Sequence, residues 1–279
     1  MRILITGGSG FIAKELKRYF ERDKEHTVLT LSRYDVDLLD SEAVESWSLD
    51  HWTEFDVIVH TATTGGSRLQ GDPIDVFYNN ITMYKNIAYM ADKYQMLLFN
   101  FDSGASDEHA DSLDLTKPYG ASKYVISRLI ETERMNIINL KIWNCFGESG
   151  LPTRFIEGNI ERAIRGEDLI IHQDKMYDFF YSEDLYKVIV NFIQQYGCNA
   201  LHTQTVNCLY ETSESLYSVA KMIQMISGTT NRTITFEQPG FDNVGYSGLL
   251  NYTLPEGEYI GLIEGIRAVY RKKEESLGI

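Results

Sequence analysis

Tyr119 and Lys123 stand four residues apart in the run Tyr119-Gly120-Ala121-Ser122-Lys123. On a helix this spacing puts a phenol and an ammonium on one face. A phenol with a reference pKa of about 10 is a poor acid–base group near neutrality, but an adjacent cation favours phenolate and brings it toward the working range. The pair is therefore a candidate proton-transfer device, with Tyr119 reacting and Lys123 tuning it. Many helices carry such a pair by chance, so its meaning depends on what accompanies it.

The companion is Thr6-Gly7-Gly8-Ser9-Gly10-Phe11-Ile12-Ala13, lying between an apolar strand pattern and a helical one. In that context Gly7 permits a tight turn and Gly10 lets the backbone approach a pyrophosphate. The N–H groups and dipole of the helix opening at Phe11 and Ile12 then hold the anion. Ala13 replaces a third glycine and is still small enough for close helix–strand packing. Where the second strand ends, an NAD-binding chain would present an acid to the adenosine ribose, and Ser32-Arg33 stands here instead. A guanidinium beside a hydroxyl suits a 2′-phosphate, which points to NADP(H). The competing reading of Arg33 is a solvated loop residue.

Elements of alternating type must position these groups. Strands are predicted over Arg2–Thr6, Thr27–Leu31, Val57–Thr61, Met96–Phe101 and Leu140–Trp143. Helices are predicted over Phe11–Arg22, Asp75–Lys93 and Pro118–Met135. Ile12, Leu16, Tyr19 and Phe20 share one face of the first helix. The alternation predicts an α/β fold, a doubly wound parallel sheet of Rossmann type with a smaller, closely packed C-terminal domain. The division is placed at 1–147 and 148–279, with about 174–205 returning to the first domain. Beyond Gly147 the pattern predicts a helix over Thr153–Arg165, a strand over Leu169–His172 and a helix opening near Ser182. A helix over Ser215–Ser227 with Ser213 as N-cap and another over Tyr259 to about Glu275 follow.

Composition sets the bounds. A 43% hydrophobic fraction excludes disorder, and no apolar run is long enough for a membrane span. No export signal is visible, since glycines interrupt the apolar start. Cys145, Cys198 and Cys208 form an odd, widely spaced set, which fits a reducing cytoplasm and neither a disulfide framework nor a zinc site. The six histidines lack ligand spacing, so no metal is expected, and His60 reads as a hydrogen-bonded core residue. A net charge of −14 argues against nucleic acid and anionic membranes as partners. An anionic ligand would need local cations against that field.

Taken together, these residues resemble the extended short-chain dehydrogenase/reductases over nearly the whole chain. The resemblance runs through Thr6 to Ala13, Asp37-Leu38 at the adenine, Val57 to Thr61 leading into Ala62-Thr63, Asn80, Ser103, Tyr119 with Lys123, and Asn144-Cys145-Phe146-Gly147. Asp178-Phe179-Phe180, Asp184-Leu185 and a helix introduced by Pro255 complete it. Within the family the chain is most similar to reductases of 4-keto nucleotide sugars, relatives of GDP-fucose synthase and dTDP-4-dehydrorhamnose reductase. The resemblance implies hydride transfer from the 4-pro-S face of the nicotinamide to a C4 ketone. Tyr119 would give the proton, Ser103 would polarise the carbonyl, Lys123 would also hold the nicotinamide ribose, and Asn80 would support the active-site helix. Asn144 would approach the substrate diphosphate. Where the family has an arginine for that diphosphate this chain has Tyr177, so Arg154, Arg162, Arg165 and Lys175 are the candidate replacements. The cysteine and histidine with which GDP-fucose synthase epimerises C3 and C5 are matched by Ala105 and, nearly, by Arg154, implying C4 reduction alone. A homodimer through the helices near Asp75–Lys93 and Pro118–Met135 is implied too. The alternatives are an NAD-dependent 4-epimerase, against which Arg33 speaks, and a non-catalytic NADP(H)-binding redox sensor. A 4,6-dehydratase is disfavoured because that branch's Thr-Asp-Glu run is replaced by Ser103-Gly104-Ala105.

Overall fold

The computed structural model describes residues 1–51, 54–67, 71–132, 136–197, 203–255 and 258–278. In chain order the elements are β1 (Arg2–Thr6), α1 (Phe11–Asp23), β2 (Thr27–Leu31), α2 (Ser41–His51), β3 (Val57–His60), α3 (Asp75–Lys93), β4 (Leu97–Ser103), α4 (Pro118–Ile130) and β5 (Ile137–Ile142). They continue as β6 (Asn144–Phe146), α5 (Phe155–Ile164), β7 (Leu169–Ile171), β8 (Met176–Tyr177), β9 (Phe179–Tyr181), α6 (Ser182–Gly197), β10 (Gln204–Asn207), β11 (Glu214–Ser215), α7 (Leu216–Ser227), β12 (Ile234–Phe236) and α8 (Gly261–Leu277). Two compact units result: Met1–Ile142 with Val188–Asn207, and Trp143–Lys187 with Cys208–Ile279.

The first unit is built on a six-stranded sheet in the order β10-β5-β4-β3-β1-β2. Every neighbouring pair is parallel, with Ile3 aligned to both Val28 and Val57, and Val59 to Phe99. Strands covered on both faces read as continuous apolar runs, and Ile3, Leu4, Ile5, Val57, Ile58, Val59, Leu97, Leu98 and Phe99 are fully buried. Strand order reverses between β1 and β3. In an open α/β sheet this switch point opens a ligand crevice at the carboxyl ends of the strands, where both Gly7 and Ala62 lie. In α1 the face carrying Leu16, Tyr19 and Phe20 is buried as its period requires, while Ile12 is half-buried.

The second unit has short strand pairs, β6 with β9, β7 with β12 and β8 with β11, beside α5, α7 and α8. Its core joins Phe146, Ile156, Phe179, Val219, Ile223 and Ile266. One expected cap is corrected here. Ser215, not Ser213, caps α7, its Oγ accepting the Ser218 N–H at 3.0 Å. The Ser213 hydroxyl instead donates to the buried Asp178 carboxylate at 2.6 Å. Leu216 is the first helical residue, so the capping position falls on Ser215, two residues beyond Ser213. The helix expected to reach Met135 ends at Ile130, and residues 133–135 lie outside those described.

Candidate functional site

The glycine-rich turn is closed by sterics. Gly7 has φ +73°, and a Cβ there would lie 2.7 Å from the Ala62 N, so only glycine fits both the dihedral and the space. Gly8 donates its N–H to the Leu31 carbonyl and Gly10 to the Gly7 carbonyl, both at 2.8 Å. These bonds lock the turn to β2 and aim it at the start of α1. Gly10 is the N-cap and offers no side-chain cap bond, and the first turn of α1 contains no acid. A helix end so built suits an anion. Ala13 is fully buried against the sheet. Beneath the turn, Thr6 Oγ1 meets His60 Nδ1 at 2.8 Å, and Thr61 Oγ1 donates to the Thr6 carbonyl at 2.7 Å. Burial, aided by the Lys123 cation, pushes the His60 imidazole down to about 3, so it is a neutral core group.

The loop after β2 contains a feature missed in the sequence. Asp35 Oδ2 accepts both the Ser32 N–H and the Ser32 hydroxyl at 2.7 Å, and these two bonds hold its carboxyl below the ordinary range. An acid therefore occupies the hydroxyl expected to face a 2′-phosphate. Arg33 is exposed, its guanidinium 5.7 Å from the Tyr34 ring centroid. Asp37 is exposed and accepts the Leu39 N–H at 3.0 Å. Leu38 is buried, and its carbonyl accepts Asn86 Nδ2 from α3 at 2.9 Å.

Ser103 ends β4, and Tyr119 and Lys123 lie in the first turns of α4. Pro118 at the helix start preorganises that turn. Lys123 is 6% exposed, donates from Nζ to the Phe101 carbonyl at 2.8 Å and lies 5.7 Å from the Tyr119 ring centroid. Burial pushes its ammonium down to about 8 against the opposing pull of Asp102. Ser103 Oγ accepts the Ala105 N–H at 3.2 Å, capping a 3-10 turn over Gly104–His109. Asp102 steadies this corner: Oδ1 accepts the Ser103 N–H at 2.7 Å, Oδ2 accepts the Ser106 hydroxyl at 3.1 Å, and the Lys141 ammonium is 3.6 Å away.

Asn80 is buried and bridges two elements. Its Oδ1 accepts the Thr64 N–H at 2.8 Å, and its Nδ2 donates to the Thr64 carbonyl at 3.1 Å and to Ser122 Oγ at 3.0 Å. Ser122 in turn donates to the Tyr119 carbonyl at 2.7 Å. Two further contacts have no signature in the residue pattern. A Cβ on Gly66 would lie 3.0 Å from Tyr119 Cζ, and one on Gly120 would lie 2.6 Å from the Ala105 carbonyl and 2.7 Å from His109 Nε2. His109 is buried, its Nδ1 accepting the Asp114 N–H at 3.2 Å, and its Nε2 has no hydrogen-bond partner among the described residues. Neighbours of that kind join segments far apart in sequence.

In the second unit the candidate substrate residues are each engaged. Asn144 Nδ2 donates to the Asp178 carbonyl at 3.2 Å. The Arg154 guanidinium donates to the Cys145 carbonyl. Arg162 pairs with Glu167 at 3.4 Å, Arg165 with Glu161 at 3.2 Å and Lys175 with Asp242 at 3.1 Å. Tyr177 stacks on Phe179 with centroids 5.6 Å apart. The motif acids hold backbone. Asp178 accepts the Gly248 N–H at 2.8 Å, and Asp184 accepts the Ile260 and Gly261 N–H groups at 2.7 and 2.9 Å, fixing the start of α8. Cys145 and Cys208 are buried free thiols, and Cys198 lies outside the described residues. Among the described residues no cluster of three or more metal-ligand side chains occurs, and no helix is long and apolar enough to cross a membrane.

Residues 3–208 match the NAD dependent epimerase/dehydratase family, with the glycine turn, Ser103, Tyr119 and Lys123 all inside the matched segment. The chain belongs to this family. A curated member, the UDP-glucose 4-epimerase of Bacillus subtilis, is 26% identical over 186 residues, a match spanning 53% of this chain and 53% of that protein. Among solved structures, GDP-mannoheptose C4 reductase from Campylobacter jejuni with NADP bound superposes with a TM-score of 0.79 at 17% identity, covering 98% of both chains. A GDP-L-fucose synthetase from Naegleria fowleri bound to NADP gives 0.78 at 14% identity over 99% of this chain and 93% of that one. UDP-glucose 4-epimerase from Thermotoga maritima gives 0.77 at 19% identity over 99% and 100%. At these identities the superpositions establish the shared Rossmann-type fold.

Proposed function

We propose that this family member is an NADP(H)-dependent reductase of the C4 ketone of a nucleotide-linked sugar, leaving C3 and C5 untouched. The observation that carries this reading is one corner of the first unit, where Ser103 ends β4 and Lys123 lies buried beside Tyr119. When bound, the dinucleotide supplies the hydride. Its pyrophosphate would lie at the acid-free start of α1, against the turn that the Gly8 and Gly10 hydrogen bonds fix.

The chain's own groups supply the rest. Tyr119 Oη releases a proton to the C4 oxygen as the carbonyl becomes an alkoxide, and solvent returns the proton to the phenolate. Ser103, whose Oγ accepts the Ala105 N–H, polarises the C4 carbonyl. Lys123 carries its charge at neutral pH and stabilises the phenolate. Asn80 holds α4 and the loop after β3 in register. Asn144, Arg154, Arg162 and Tyr177 are the groups assigned to the substrate diphosphate. The reductases among the superposed structures support this reading, and Arg33 supports the 2′-phosphate.

A second reading is an NAD-dependent 4-epimerase, and the Asp35 carboxylate on Ser32 favours it, because an acid there suits ribose hydroxyls and repels a 2′-phosphate. The curated relative carries that name. NADPH and NADH oxidation with 4-keto GDP-, dTDP- and UDP-sugars, beside interconversion of UDP-glucose and UDP-galactose, separates the two. Stoichiometric NADPH oxidation supports reduction. Epimerisation without net cofactor turnover would overturn it.

A further inference from the structure

We infer that Asp72 and Gly66 form a clamp that fixes the phenol of Tyr119, making Asp72 a positioning residue. The inference rests on the reading of Tyr119 as the proton donor. The segment Thr63-Thr64-Gly65-Gly66 leaves the carboxyl end of β3 and must travel to the start of α3. Gly65 and Gly66 have φ of +77° and +76°, two successive left-handed residues. Only glycine adopts this region without penalty, so the segment is a specified turn rather than slack.

Three contacts pin it. Asn80 takes both backbone groups of Thr64, at 2.8 and 3.1 Å. Asp72, just before α3, receives the Gly66 N–H on its two oxygens at 3.0 and 3.2 Å. Gly65 sits where a Cβ would lie 2.6 Å from Val76 Cγ1 and 2.8 Å from Asp72 Oδ1, so the turn rests directly on α3. Held in this way, Gly66 is pressed against the Tyr119 ring, where an added Cβ would be 3.0 Å from Cε2, 3.0 Å from Cζ and 3.2 Å from Cδ2. Cζ bears the reacting hydroxyl. The contact therefore falls on the hydroxyl end of the ring, and a displacement of the turn moves Oη rather than the helix that carries it. The Lys123 ammonium lies 5.7 Å from the same ring's centroid, and Ser122 donates to the Tyr119 carbonyl. Geometry errors of about 1 Å at a reacting atom can lower turnover by two orders of magnitude.

The test labels tyrosine with 13C at Cζ in wild type, Gly66→Ala, Asp72→Ala, Asp72→Asn and Gly71→Ala, with NADPH present. Tyr119→Phe identifies the Tyr119 resonance. Gly71 is the control, because a Cβ there meets nothing within 4 Å among the described residues. The expected result is a Tyr119 resonance displaced in Gly66→Ala and Asp72→Ala, partly restored in Asp72→Asn, which keeps one acceptor oxygen, and unmoved in Gly71→Ala. With a 4-keto sugar nucleotide, kcat in the first two variants falls at least tenfold while KM stays within threefold. A Tyr119 resonance unmoved in Asp72→Ala, which needs no strained backbone to fold, overturns the clamp. Full turnover in Tyr119→Phe overturns the proposed function instead, and the resonance still decides the clamp.

Discussion

Replacing Lys123 with Met should stabilise the protein while abolishing its turnover. The ammonium is 6% exposed, and burial lowers its pKa from an ordinary 10.5 to about 8. At pH 7 this corresponds to about 3 kcal/mol of unfavourable burial of the charged form. Methionine has a similar stem and no charge. It loses the bond from Nζ to the Phe101 carbonyl, about 1 kcal/mol, so a net gain of about 2 kcal/mol remains. The sign can be followed with pH. Because the folded pKa is the lower one, the folded state sheds the proton near pH 8 while the unfolded chain keeps it to about 10.5. Wild-type stability therefore rises through that window, and the advantage of the Met variant, full below pH 8, fades toward pH 10.5. Urea unfolding of both proteins at pH 7, 8.5 and 10 measures the difference. A variant less stable than wild type at pH 7, or a difference constant across the window, refutes the buried-cation argument.

Other expectations follow from the same structure. His60→Asn keeps a polar atom near Thr6 but removes a group held near 3, so the stability gap between variant and wild type, largest above pH 6.5, narrows by about 3 kcal/mol by pH 4.5 in thermal or urea melts. Gly120→Ala forces a Cβ against the Ala105 carbonyl and the His109 ring and should destabilise by about 1–3 kcal/mol in urea unfolding. Asp35→Asn removes the acid from Ser32 and should raise the NADPH to NADH ratio of kcat/KM, while Arg33→Ala lowers it; an unchanged ratio in both places neither residue at the adenosine. Reduction in deuterium oxide should leave C3 and C5 of the sugar free of enzyme-introduced deuterium, read by product NMR, because Ala105 has no proton to exchange and the Arg154 guanidinium stays charged.

The parts legible in sequence were those with a short period. Apolar runs such as Val57-Ile58-Val59 and the stripe of Leu16, Tyr19 and Phe20 declare a buried parallel strand and an amphipathic helix, and the fold follows from their alternation. In the first unit helix α2 and strand β10 escaped, and in the second the short strands β6, β8, β9, β11 and β12 did. In α2 only Val44 among the described apolar side chains is buried, although Asp40 receives the Glu42 and Ala43 N–H groups as an N-cap and was a readable signal. Strand β10 is a polar four-residue edge recognised only by its pairing with β5. The contacts around Tyr119 were illegible for another reason. Gly66 and Gly120 matter through what their missing side chains would strike, Tyr119 in one case and Ala105 and His109 in the other, and no spacing rule reports that.

The charge balance bears on how an anionic ligand is held. The net charge is −14, and Arg162, Arg165 and Lys175 are each already paired with a carboxylate of the chain. Such half-exposed pairs are weak, about 0–1 kcal/mol each, so a diphosphate can take a cation from its partner at little energetic cost, but it leaves an acid behind and recovers only part of the attraction. The glycine turn has no such handicap. Its donors are main-chain N–H groups and a helix end with no acid in its first turn, fixed by the Gly8 and Gly10 hydrogen bonds before any ligand arrives. Affinity for the dinucleotide should therefore depend less on salt than affinity for a nucleotide sugar. Titrations of NADPH and of a nucleoside diphosphate sugar at 50 and 500 mM NaCl test this: a steeper salt slope for NADPH would mean that side-chain cations such as Arg33, rather than the backbone cradle, hold the cofactor.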